Sequence, residues 1–229
     1  TFLSPIKNKK LFDLALSYQD INQSVYNKKN ISKFIESIDV HINNICNLSF
    51  INLNKIKNKK FKIVLDTING ASCNGFKKLL EKLNCNIIHI NSEPNGLFER
   101  NPEPKTDNLR DLEEIVLKHS ADLAFITDPD GDRLAIVDNK GKIIIEENTL
   151  ALCIKEFLSQ KKSKKPIVVN LSTTAAIEEI AKDYDTKIIR TAVGEINVVD
   201  GMKKHDSDIG GEGNGGVILK ESHLGRDAF

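Results

Sequence analysis

ADLAFITDPDGDRLAIVD, Ala121–Asp138, is the stretch on which the fold turns. It opens as a buried strand, ADLAFITD (121–128), and closes as another, LAIVD (134–138). Between them DPDGDR sets three aspartates within five residues, with Arg133 directly after. Like charges this close repel, so the cluster calls for a cation. In open α/β sheets ligands gather at the carboxyl ends of strands, which is where this loop falls.

Working outward, FKIVLD (61–66) is a β-branched run ending in the turn signal TINGAS. GFKKLLEKL follows, with Phe76, Leu79, Leu80 and Leu83 on one helical face. NIIHI (86–90) is a strand, and Leu109, Leu112, Ile115 and Val116 mark another helix. The polar loop NSEPNGLFERNPEPKTDN separates these two. The order β-α-β-loop-α-β predicts parallel strands with helices packed on the sheet. Downstream, LAIVD and IIIEE (143–147) form an antiparallel hairpin across NKGK, and a helix spans 149–159. The pattern then restarts. PIVVNLS is a strand, Ser172 or Thr173 caps the helix TTAAIEEIAKDY, TKIIRTAV is a strand, GEINVVDGMKK a helix, GGEGNGG a loop and VILK a strand. The fold class is α/β: tandem three-layer α/β domains with mixed, mainly parallel sheets. Residues 1–60 are polar and weakly helical, with helical spacing in LFDLAL (11–16) and ISKFIESIDVHINNI (31–45).

Composition excludes several classes. Lys+Arg and Asp+Glu number 33 and 32, which gives no electrostatic footprint for nucleic acid. No apolar run approaches the ~20 residues of a membrane span, and TFLSPIKNKK lacks a signal-peptide core. Cys46, Cys73, Cys85 and Cys153 form no CxxC pair and are expected to be reduced, mostly buried thiols of a cytoplasmic protein. The chain starts at Thr1 and stops within HLGRDAF, which reads as the opening of a helix, so a fragment of a longer protein is expected.

Carboxylates in Asp-x-Asp-x-Asp spacing converge on one hard cation through oxygen ligands. Asp128, Asp130 and Asp132 are therefore the candidate ligands of a hard cation, and Arg133 the neighbouring phosphate donor. Cation and guanidinium together suit a phosphoryl group in transfer. Three rivals stand beside this reading. An EF-hand needs Gly and Glu at positions that here hold Arg133 and Asn139, and is rejected. A haloacid-dehalogenase-type phosphatase would make Asp128 a nucleophile, but Asp132 occupies the place usually held by Thr or Val. A merely solvated acidic turn is the third.

GGEGNGG contains a literal G-x-G-x-x-G at Gly211, Gly213 and Gly216. The dinucleotide fingerprint needs a strand before and a helix after. Here KKHDSDI precedes and strand-like VILK follows, so a nicotinamide site is rejected. Glycines let backbone approach a ligand closely, and Glu212 and Asn214 could bracket vicinal hydroxyls of a sugar. A flexible glycine-rich hairpin is the plain alternative. His205 and His223 flank this loop and read as surface or packing residues. His41, His89 and His119 show no pairing and receive no role.

DPDGDR and GEGNGG, in this order, resemble the metal-binding and sugar-recognition loops of the α-D-phosphohexomutase superfamily. The resemblance extends to VLDTINGAS, EPNGLFERNPEP, TAVGEINVV and HLGRDAF. With GGEGNGG and PNG-x-F-x-x-NPEP it is most like the phosphoglucosamine mutase branch. It implies a four-domain enzyme in which a phosphoserine of the first domain donates to a hexose phosphate. The hexose 1,6-bisphosphate formed then turns over, and the other phosphate returns to the serine. Residues 1–38 would be the tail of domain 1 and a linker, 39–145 the metal-binding domain 2, and 146–229 the sugar-binding domain 3.

The resemblance assigns Asp128, Asp130 and Asp132 to Mg2+ and Arg133 to the transferring phosphate. Glu212 and Asn214 fall to the sugar hydroxyls, and Thr191–Glu195, including Gly194, to the cleft. Some relatives carry His at the position of Glu195, which bears on a proton-transfer role there. Many carry Ser at the position of Asn214, and that change leaves the choice of sugar open. No counterpart of the phosphoserine loop is found; Ser4 and Ser17 lack its surroundings. Domains 1 and 4 of the same polypeptide are the implied partners, and the isolated chain is expected to be inactive. The implied reaction interconverts glucosamine 6-phosphate and glucosamine 1-phosphate. Phosphoglucomutase/phosphomannomutase activity and a non-catalytic, Mg2+-dependent sugar-phosphate-binding remnant remain as alternatives.

Overall fold

The computed structural model describes residues 3, 5–18 and 36–229. Helix α1 (Pro5–Ser17) carries LFDLAL, with Leu11, Phe12, Leu14 and Leu16 exposed. It belongs to a unit of its own, Thr1–Ser37. Ser4 and residues 31–35 of the ISKFIESIDVHINNI segment lie outside the described residues. The remainder of that segment forms α2 (Ser37–Cys46).

Ile38–Phe229 is the second unit and holds two sheets. A short helix, α3 (Leu53–Lys59), leads in, its first turn capped by Asn52, whose side chain accepts the Lys55 N–H at 3.0 Å. The first sheet comprises β1 (Lys62–Asp66), β2 (Asn86–Ile90), β3 (Leu123–Thr127), β4 (Leu134–Asp138) and β5 (Ile143–Ile144), in the order β2-β1-β3-β4-β5. β1 runs parallel to β2 and β3, joined through α4 (Cys73–Lys82) and α5 (Arg110–His119). β3 and β4 are antiparallel, because a parallel crossover needs a dozen or more residues and DPDGDR is far shorter. Thr127 therefore sits opposite Leu134, and the aspartates form the tip of a hairpin.

Alternation along β1 makes the sheet the middle layer. Val64 packs with Leu112 and Val116 of α5 on one face. Ile63 and Leu65 pack with Ile42 of α2 and Phe76, Leu79 and Leu80 of α4 on the other. Each such side chain contributes about 1.5–3 kcal/mol by leaving water.

The second sheet repeats the scheme, with β6 (Ile167–Asn170), β7 (Ile188–Thr191), β8 (Ile209–Glu212) and β9 (Gly216–Leu219) in the order β7-β6-β8-β9. β6 is parallel to β7 and β8, and β8 is antiparallel to β9. Ile167, Val169 and Ile209 face α6 (Glu147–Lys161) and α7 (Ala176–Asp183). Val168 and Ile218 face α8 (Glu195–His205).

Several sequence expectations change. GGEGNGG is not wholly a loop, since Gly210, Gly211 and Glu212 belong to β8. A Cβ at Gly210 would lie 2.4 Å from the Val168 carbonyl oxygen, so glycine is what lets β8 pair against β6. Helix α7 starts at Ala176, after Ala175, and neither Ser172 nor Thr173 caps it. Both hydroxyls donate instead to Asn170 Oδ1, at 3.1 and 2.7 Å. Helix α6 begins at Glu147, ahead of the expected residue 149. HLGRDAF is not helical: Arg226 bridges Ile218, the Asp227 N–H donates to the Val217 carbonyl, and the Ala228 N–H to that of Gly131. Cys46 and Cys73 are buried, but Cys85 is only partly so and Cys153 is exposed. No helix among the described residues is long and apolar enough to cross a membrane.

Candidate functional site

Asp128 begins the loop and is buried. Its Oδ1 accepts the backbone N–H of Asp132 and of Arg133, both at 3.1 Å, and its Oδ2 accepts Arg133 Nε at 2.6 Å. Burial opposes its charge, but the hydrogen bonds from Arg133 prevail and hold its carboxyl below the ordinary value. Asp130 is exposed at the tip. Burial of part of its carboxyl and the charge of Asp128 push it up. Asp132 is pushed up to about 7, first by burial and then by the charges of Asp128 and Asp130, against the opposing pull of Arg226. One carboxylate oxygen from each of the three aspartates lies within 4.8 Å of the others.

A fit test follows from Asp132. Its Oδ1 is buried and has no hydrogen-bond partner; Arg133 Nε is 3.8 Å away. An orphaned carboxylate oxygen beside two more carboxylates matches the donor set of a hard cation.

The loop is fixed from behind. The Ala71 N–H donates to the Pro129 carbonyl at 2.8 Å, and a Cβ at Gly70 would come within 2.5 Å of that oxygen. Gly70→Ala must therefore shift the aspartates, and should weaken the binding of any divalent cation they hold by about 10–100-fold with the secondary structure intact. Calorimetric titration with circular dichroism tests this; unchanged affinity would show that the Gly70–Pro129 contact does not set the loop.

Arg100, from the polar loop, is a second support. Its Nε donates to Asp66 Oδ2 at 2.9 Å and its Nη2 to the Thr127 carbonyl at 2.8 Å, just before Asp128. Asp66 Oδ1 in turn accepts the Ile68 N–H and Asn91 Nδ2. Sequence reading gave neither residue a role. The signal was a lone arginine in a loop that a strand-ending aspartate could anchor.

The second sheet brings its own residues to the same place. Glu212 was expected to project from the glycine loop; it ends β8 and is buried. Its Oε1 accepts Asn170 Nδ2 at 2.8 Å and the Gly194 N–H at 3.0 Å, and its Oε2 accepts Arg226 Nη1 at 2.9 Å. Asn214 is half-buried in the turn, with Nδ2 3.5 Å from Glu212 Oε2 and Oδ1 accepting the Gly216 N–H. Gly194 precedes α8 with φ 116°, and Thr191 ends β7 with its hydroxyl donating to the Ala192 carbonyl.

The two loops touch. The Leu134 N–H donates to the Gly215 carbonyl at 3.1 Å, and a Cβ at Gly215 would stand 2.7 Å from the Leu134 oxygen. Arg226 joins them electrostatically: Nη2 meets Asp132 Oδ2 at 2.5 Å and Nη1 meets Glu212 Oε2. Its backbone N–H donates to Glu195 Oε1 at 2.8 Å. Arg226 was missed because its segment read as a helix start. Two histidines are also paired after all: His89 Nε2 with Thr67 Oγ1 at 2.9 Å, and His41 Nε2 with Asp227 Oδ2 at 2.9 Å.

The raised Asp132 carries a pH signature. An acid whose folded value exceeds its unfolded one keeps a proton that the unfolded chain has lost, so metal-free stability falls as pH rises from about 4 to about 7. A divalent cation held there needs the charged form, so its affinity should be about tenfold lower at pH 6 than at pH 8 and level off above neutrality. Calorimetry in buffers of different ionisation enthalpy tests this; a pH-independent affinity with no proton release would refute it.

Comparison with known proteins places these features in a family. The model of phosphoglucomutase/phosphomannomutase alpha/beta/alpha domain II matches residues 39–141, and that of domain III matches residues 146–229. A phosphoglucomutase/phosphomannomutase of Thermococcus kodakarensis is 35% identical over 77% of this chain and 39% of its own length. A phosphoglucosamine mutase of Methanococcus aeolicus is 31% identical over 92% of this chain and 49% of its own. The chain thus spans about half the length, or less, of these curated relatives. A crystal structure of a phosphoglucomutase/phosphomannomutase family protein from Burkholderia thailandensis shares the fold, with TM-score 0.70 and 24% identity over 83% of this chain and 40% of that one. Every strand but β5, and both loops, thus fall within matched domains, and the chain belongs to the phosphoglucomutase/phosphomannomutase family.

Proposed function

We propose that this chain supplies the metal-binding and sugar-binding parts of a phosphosugar mutase moving a phosphoryl group between C6 and C1 of a hexose phosphate. Glucosamine phosphate is the favoured substrate. The observation that carries the reading is the apposition of the aspartate loop and the Glu212 turn through Arg226. A cation site and a polar edge for a sugar then stand side by side.

Asp128, Asp130 and Asp132 would hold Mg2+. Bound there, the ion offsets negative charge on the phosphoryl group in transit. Arg133 uses Nε on Asp128, and among the described residues its terminal nitrogens make no hydrogen bond, so they are donors for a phosphoryl oxygen. Glu212 is oriented by Asn170, Gly194 and Arg226; with Asn214 it is assigned to the sugar hydroxyls. Thr191 and Gly194 would line the wall. The phosphoserine, the site for the non-reacting phosphate and the hexose 1,6-bisphosphate turnover are assigned to domains 1 and 4 of the whole enzyme. The bonding of Asp128 weighs against a nucleophilic role, since both its oxygens accept from backbone and guanidinium donors.

A second reading, phosphoglucomutase/phosphomannomutase, is favoured by the Thermococcus relative. One experiment separates these. The full-length gene product, phosphorylated and supplied with Mg2+, is followed by 31P NMR with glucosamine 6-phosphate, glucose 1-phosphate and mannose 1-phosphate in parallel. Conversion of the glucosamine ester alone is expected. Comparable conversion of the other two would make it a general hexose phosphate mutase. Inorganic phosphate as sole product would overturn the proposal in favour of a phosphatase.

A further inference from the structure

Two imidazoles and a carboxylate meet in a second cluster. His41 lies on α2, while His223 and Asp227 lie on the segment after β9. Asp227 Oδ1 accepts the Phe229 backbone N–H at 3.0 Å. That bond leaves Oδ2 to face both rings, 2.9 Å from His41 Nε2 and 3.1 Å from His223 Nε2. The three ligand atoms fall within 4.8 Å of one another. The ring centroids are 5.7 Å apart, and Phe229 packs edge-on against His41 at 5.4 Å.

This donor set differs in kind from the three aspartates. Two neutral imidazoles and one carboxylate suit a borderline transition ion, whereas an all-oxygen set suits Mg2+. In a tetrahedral site with metal–ligand bonds of about 2.0–2.2 Å, ligand atoms stand about 3.3 Å apart. The two N–O separations are already close to that. The backbone bond to Asp227 Oδ1 is the kind of outer contact that orients a ligating carboxylate. The Asp227 N–H to Val217 and the Ala228 N–H to Gly131 fix the supporting backbone.

We propose that His41, His223 and Asp227 form a site for a divalent transition-metal ion of the zinc class, with water completing the coordination. Bound there, the ion ties α2 to the segment that carries Arg226. The site is independent of the reaction proposed above.

The test uses the whole 229-residue chain with excess Mg2+, so that the aspartate loop is filled. Zn2+ is titrated calorimetrically and Co2+ by visible absorption. One equivalent of each ion should bind, with the absorption of four-coordinate Co2+ and no thiolate charge-transfer band. His41→Ala and His223→Ala should each lower affinity at least about tenfold, while Asp130→Asn should leave it unchanged. Should either alanine variant lose its circular dichroism or its Mg2+ binding, His41→Gln and His223→Gln serve in its place, with the same loss expected. Absence of binding, binding indifferent to both histidines, or a thiolate band from a cysteine such as Cys153 would overturn the proposal and leave a plain His–Asp–His hydrogen-bonded cluster.

Discussion

Asp130→Asn in the full-length enzyme is expected to cut turnover by about 10²–10³-fold while leaving the fold in place. The side chain is exposed at the tip of the β3–β4 hairpin, so its replacement opens no cavity. Its burial cost and the charge of Asp128 both disfavour the ionised form, so the carboxylate is under strain without a cation. Neutralising it relieves that repulsion. The metal-free variant should therefore melt at or slightly above the wild-type temperature. With Mg2+ the order should reverse: wild type gains stability as the ion binds the folded chain, and the variant gains much less. Steady-state kinetics and paired melting curves with and without Mg2+ measure both. Unchanged turnover would remove Asp130 from the site, and a large metal-free destabilisation would make it a structural residue instead.

Local chemistry was legible in the sequence because it is written over short distances. β3, the aspartates and β4 are contiguous, so strand pattern and charge spacing located the loop together. The apolar spacing of Phe76, Leu79 and Leu80 gave α4 for the same reason. What escaped depends on partners far along the chain. Arg226 meets Asp132 across 94 positions, and no periodicity reports that pairing. Its segment read as a helix start because nothing local revealed the backbone bonds to Val217 and Gly131 that hold it extended. Gly210 and Gly211 read as loop because glycine weakens strands on average; the neighbour that demands it, the Val168 carbonyl, is on another strand. Ser172 and Thr173 were plausible caps by type, but a buried Asn170 competed for their hydroxyls and won. His41 looked solitary because Asp227 lies at the other end of the chain.

Arg226→Ala should be the most destabilising single change at this site. The guanidinium stands among three carboxylates: Nη2 on Asp132, Nη1 on Glu212, and Nε 3.3 Å from Glu195 Oε2, without hydrogen-bond geometry. Glu212 is buried and cannot turn to water, so truncation strands its charge. Removing one partner of a buried pair costs about 3–5 kcal/mol; partial exposure of Arg226 puts this case near the lower end. A domain of this size loses about 2–4 °C per kcal/mol, so a fall of about 6–12 °C is expected. Arg226→Lys should recover only part of it, because the compact ammonium lacks the two separate nitrogens with which the guanidinium meets Asp132 and Glu212. Without the opposing pull of Arg226, Asp132 is driven further up. The Arg226→Ala variant should then need a higher pH than wild type for half-maximal Mg2+ binding. A double-mutant cycle with Asp132→Asn isolates the bridge, and a coupling of about 1 kcal/mol or more is expected. Melting within a degree or two of wild type, with no coupling, would mean that the backbone bond between Leu134 and Gly215 holds the loops together without the guanidinium.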